Sequence, residues 1–134
     1  IWFFPYGNRV AVREENSMND IINFRLSKEA NDVADQLVAT GKFDHGTSAA
    51  KFAFAYAVKN YYGHFDPATY AVTDGFGTNY SVGSFNDLAP YVLVLYPQTE
   101  TPYIYVRALI NYGLVKIGEI IKEKGMPAIY SLCD

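Results

Sequence analysis

The chain has one cysteine, Cys133, among 134 residues, so neither an internal disulfide nor a cysteine-rich metal site is available to it. That usage fits a reducing, cytoplasmic setting. No apolar run reaches the roughly 18 residues that a membrane span requires, so no membrane partner is expected. The opening Ile1-Trp2-Phe3-Phe4-Pro5-Tyr6 is apolar, but Pro5 and Gly7 interrupt it and no basic region precedes it, which makes a poor signal peptide. Positive charge is scarce as well. Eleven Lys and Arg against 14 Asp and Glu leave a net charge of -3. Nucleic-acid binders are usually basic, so any such function here must rest on a local patch. Histidine is limited to His45 and His64. Each neighbours an aspartate region, but without HExxH spacing or a nucleophile elbow they read as turn residues flanking a helix, not as a metal centre or a general base. Gly75-Phe76-Gly77-Thr78-Asn79 matches neither phosphate-loop pattern. Glu14-Glu15 and the Glu119/Glu123 pair read as solvated faces. No catalysis, metal or cofactor is expected.

What the chain has in quantity is aromatic surface. Hydrophobic residues make up 50% of it, with 12 Tyr and 9 Phe, which is enough for a core and excludes wholesale disorder. Tyrosine is apolar along the ring and polar at its tip, so this abundance implies large buried surfaces with wet edges, such as subunit contacts. Residues 1–17 are expected to be a leader or an appended extension ahead of a native start at Met18, or else a hairpin in which 2–6 and 9–13 pair across Gly7-Asn8. Residues 18–63 form a strand-helix-helix unit, and 64–134 a helical part on the same core.

Ile22, Phe24 and Leu26 alternate with Asn23 and Arg25, which predicts a short strand with one apolar face. So short a strand needs a partner, and a symmetry mate is the simplest. Ser27 is placed to cap a first helix whose stripe is Ala30, Val33, Ala34, Leu37 and Val38, with Asn31 on the polar side and Gly41 at the end. Thr47 or Ser48 is expected to cap a second helix, apolar nearly all round and therefore central. Residues 73–83 read as a Gly-rich loop. Ser84 or, better, Asp87 is expected to cap a segment through Tyr96, although residues 91–96 read equally as a buried strand. Thr101-Pro102 opens the last helix and Gly125 and Pro127 stop it, with an extended segment after Met126. Gly113 and Gly118 read as sites of close helix packing.

A two-stranded antiparallel ribbon fits the major groove of B-DNA and reaches base edges from its outward face. Asn pairs bidentately with adenine and Arg with guanine. Asn23 and Arg25 stand on one face, one residue apart, and Ile21 is on that side for a thymine methyl. Residues 20–62 thus resemble the ribbon-helix-helix family of repressors and antitoxins. The resemblance implies an intertwined dimer, base contacts from Asn23 and Arg25, and a phosphate at Gly46-Thr47-Ser48, where free N–H groups and the helix dipole attract an anion. Lys28, Lys42 and Lys51 are expected to add phosphate contacts. The phrase Phe24-Arg25-Leu26-Ser27-Lys28-Glu29-Ala30 also resembles the opening of small helical proteins that accompany bacterial DNA phosphorothioation, a family thought to contact DNA.

The expected fold is therefore mainly α, a short N-terminal β-ribbon followed by four or five packed helices. The expected function is non-enzymatic DNA binding by a homodimer or higher oligomer (a regulator, an antitoxin or an accessory of DNA modification). The competing expectation is a helical scaffold that docks a protein partner on its C-terminal helices.

Overall fold

The computed structural model describes residues 20–133. The leader, extension or hairpin expected over 1–17 lies outside the described residues. The chain runs β1 (Asn23–Ser27), α1 (Lys28–Ala39), α2 (Gly46–Tyr61), β2 (Gly75–Ser81), a 3₁₀ turn (Val82–Phe85), α3 (Ala89–Leu95), α4 (Pro102–Lys124) and α5 (Met126–Cys133). It is mainly helical, with one two-stranded sheet among the described residues.

The partner of β1 is within the chain. β1 pairs antiparallel with β2, Asn23 opposite Ser81 and Ser27 opposite Gly75, with a bulge between Phe24 and Leu26. Phe24 packs its ring at 5.9 Å from Tyr80 and 5.4 Å from Phe85. A symmetry mate is thus not needed to cover the apolar face of β1. The segment read as a Gly-rich loop supplies the pairing strand in its place. Its weak intrinsic β preference is overridden by the edge that β1 offers. Glycine is required at Gly77, where φ is +77° and a Cβ would crowd the Asn31 amide. That contact, with a bond from Asn31 Nδ2 to Asp35 Oδ2 at 3.4 Å, explains why Asn31 is buried although its helix position reads as polar.

The α1 cap is as expected: the Ser27 hydroxyl accepts from the Ala30 N–H at 3.1 Å, and Gly41 follows the helix at φ +82°. The start of α2 is not. Gly46 opens it with His45 extended at the cap position and no side-chain bond there, so Thr47 and Ser48 lie inside the first turn. The α3 prediction also changes. Leu88 stands at the cap position without a side-chain bond, and neither Ser84 nor Asp87 caps the helix. Residues 91–95 are helical, which resolves the helix-or-strand ambiguity. After Gly125 (φ +83°) the chain resumes as α5, not as an extended segment. Pro127 is tolerated there because it falls in the first turn, where no N–H partner is lost.

The central element is α4, which packs on α1, α2, α3 and α5; α2, expected to be central, keeps an exposed outer side at Ala55, Lys59 and Asn60. Two glycines let α4 come close. A Cβ at Gly113 would strike the Ala53 carbonyl of α2, and one at Gly118 would lie 2.8 Å from Val33 Cγ2 of α1. Thr101 provides no side-chain cap for α4. Asp20 does so from across the chain, its carboxylate accepting from Tyr103 N–H at 3.0 Å and Ile104 N–H at 3.1 Å. The buried Asn111 amide ties α4 to the β1–α1 junction, accepting from Ser27 N–H at 2.8 Å and donating to the Arg107 carbonyl at 2.9 Å.

Candidate interaction surfaces

The residues expected to read DNA are distributed unevenly. Asn23 and Arg25 are exposed on the side of β1 opposite the buried Phe24 and Leu26. Arg25 Nη1 donates to the Gly77 carbonyl at 2.8 Å, so the guanidinium lies across β2. Ile21 is on the other side: it is half-buried and packs on the core. The cause is local, because Asp20 also accepts from the Ile21 N–H at 2.9 Å and fixes this residue ahead of the strand, where the period of two has not begun. Ile22, expected in the core, is correspondingly 76% exposed.

Among the described residues, Lys28 alone of the three lysines lies over a ring of the ribbon. Lys28 pairs with Asp32 at 3.4 Å and lies 4.8 Å from the Phe76 ring centre. Lys51 pairs with Asp87 at 3.0 Å. Lys42 lies 5.0 Å from the Tyr130 ring centre. Exposed pairs of this kind contribute less than about 1 kcal/mol. Thr47 and Ser48 are half-buried, and the Tyr80 hydroxyl lies against Gly46 at the same helix end.

A surface that the site reasoning missed lies between α2 and α3. It is an open hollow of about 630 Å³ lined by Phe54, Val58 and Leu88, with Ala55, Tyr91 and Val94 at its exposed edge. Tyr91 is 63% and Val94 78% exposed. The sequence signal was the run Tyr91-Val92-Leu93-Val94-Leu95. An unbroken apolar run fits a strand buried on both faces. Wound into a helix with one inner face, it must leave most of its side chains outside. Only Val92 within α3 is fully buried.

A second hollow, about 620 Å³, opens on the other side of α2 between Phe43, Phe52 and Tyr56. Phe43 and Phe52 pack at 5.1 Å. Ala55 and Lys59 border both hollows.

Elsewhere, Phe65 stacks on Tyr112 at 3.9 Å and 4°, with Tyr61 and Tyr70 edge-on to the same ring. Lys116 Nζ lies 5.4 Å from the Tyr112 ring centre and 5.6 Å from that of Tyr61. His45 and His64 are exposed. Among the described residues no three His, Cys, Asp or Glu side chains gather as a metal site would require. No described helix is long and apolar enough to cross a membrane.

No family model, curated protein or solved structure matches this chain.

Proposed function

We propose that this protein is a non-enzymatic helical interaction module that docks a protein partner on the outer face shared by α2 and α3. The observation that carries this reading is the placement of Tyr91 and Val94, both largely exposed, on the rim of an apolar hollow. Exposed apolar surface of this kind marks an interaction site more often than chance, and an aromatic anchor beside a pocket is how such interfaces concentrate their energy.

The experiment is peptide selection on the immobilised chain. Selected peptides should compete with one another, bind with little dependence on salt, and be lost on Val94→Glu, which places a charge on an already exposed position. Selected peptides that bind Val94→Glu as well as the parent would remove the reading.

A second reading is favoured by one observation. The β1–β2 ribbon holds Asn23 and Arg25 on its exposed face, the side chains that discriminate adenine and guanine in a major groove. On this reading the protein is a DNA-binding regulator, antitoxin or DNA-modification accessory acting as a homo-oligomer. Polarisation with a random duplex separates the two. Phosphate contacts lose affinity steeply as salt rises, and Arg25→Ala should relax base preference where Lys51→Ala weakens all sequences alike. Absence of duplex binding at low salt removes the second reading.

A further inference from the structure

The outer side of α2 carries Lys51, Ala55 and Lys59 at successive four-residue steps, and these lie on one helix face. The small Ala55 is the low point of this ridge, with a hollow on each side of it. Side chains of a crossing helix therefore have a place to insert on both sides, while Ala55 lets the two backbones approach.

Charge selects the occupant. Lys42, Lys51 and Lys59 are the charged residues lining the two hollows, and among the described residues no carboxylate lines either one, in a chain whose acidic residues outnumber its basic ones. Lys51 is engaged by Asp87. Neither Lys42 nor Lys59 forms an ion pair among the described residues, so both gain from a new partner.

A second copy of the chain is disfavoured at this ridge. A two-fold contact centred on Ala55 would set Lys51 and Lys59 against the lysines of the other copy, and like charges brought together cost affinity. A duplex is disfavoured too, because the lysines are separated by apolar hollows that a phosphate backbone gains nothing by covering.

Resting on the docking reading above, we propose that the α2 ridge receives an amphipathic helix whose apolar stripe is bordered by carboxylates. The mode is a helix laid in a groove, with apolar anchors one turn apart entering the two hollows. The carboxylates meet Lys59 and Lys42.

The test uses the full chain and three labelled helical peptides of equal length with the same leucine stripe, flanked by Glu, Gln or Lys. Binding is read by fluorescence anisotropy. The Glu peptide should bind about two- to fivefold tighter than the Gln peptide, the gain expected of rim charge pairs, with the Lys peptide weakest. Lys59→Glu should invert that order. Ala55→Arg should block all three, with the circular dichroism spectrum of each variant unchanged because both positions are exposed.

Equal binding of the three peptides, unchanged by Lys59→Glu, overturns the charge assignment while the docking reading stands. Failure of all three designed helices beside successful selected peptides that depend on Val94 likewise sinks this inference alone. Displacement of the Glu peptide by a random duplex would assign the lysines to phosphate instead.

Discussion

At the scale of single residues, two polar side chains hold the fold together more than their number suggests. Asp20 closes the start of α4 from 83 and 84 positions away, through bonds to Tyr103 and Ile104 N–H. Helix N-termini leave donors unsatisfied, and a carboxylate there also meets the positive end of the dipole. Asp20→Ala should lower stability by about 1–2 kcal/mol, read as a shifted denaturant midpoint with an unchanged slope. Asn111 is buried and bonds in two directions. Asn111→Leu conserves volume approximately but strands the Ser27 N–H, and should cost about 1–3 kcal/mol. A thermal midpoint equal to that of the parent would show that water satisfies this donor. Neither role was legible in the sequence. Asp20 and Asn111 look like any polar residue until the chain brings their partners to them.

At the scale of elements, the reading succeeded where a pattern is local. Ser27, the Ala30-to-Leu37 stripe and Gly41 state α1 unambiguously, because cap, period and stop all lie within one helix. The reading of the last helix likewise survives in α4. It failed at β2, whose Gly, Thr and Asn have little preference for a strand and whose only buried side chain is Tyr80. A strand of that composition exists because β1 offers a ladder to it. Gly77 is the point at which this dependence can be tested. Gly77→Ala meets both a positive φ and the Asn31 amide, and should destabilise by about 1–3 kcal/mol. The α2–α4 crossing is equally demanding at Gly113, where an added methyl strikes the Ala53 carbonyl. Gly113→Ala should cost about 1–3 kcal/mol as overpacking. Urea unfolding of both variants gives the comparison, and a neutral Gly113→Ala would mean that the two helices part without cost.

At the scale of the whole molecule, the abundance of tyrosine acquires a consequence. Burial raises the Tyr56, Tyr70, Tyr80 and Tyr96 hydroxyls above their ordinary value of 10.0. Secondary influences differ. Tyr61 adds to the shift at Tyr56, Glu29 at Tyr70, and Asp35 at Tyr80. A group whose folded pKa is raised binds more protons folded than unfolded once pH exceeds the unfolded value. Its contribution is fully present below about pH 10 and is lost as pH climbs through the higher folded value. Stability should therefore hold across neutral pH and fall in the alkaline range. Tyrosinate absorbance should show a late-titrating class. Simultaneous ionisation of all tyrosines near pH 10 in the folded protein would contradict this.

What the sequence settled by itself was the helical character, the boundaries at Ser27, Gly41 and Gly125, and the exposed Asn23–Arg25 pair. Each depends on neighbours a few positions away, whose contacts follow from backbone period and cap chemistry alone. The tertiary structure decided the rest. It gave β1 a partner from its own chain and turned Ile21 inward. It made α4 the hub and, among the described residues, left Tyr91, Leu93 and Val94 of α3 exposed. These outcomes depend on residues far apart in the chain competing for the same core volume, and no local pattern records which of them prevails.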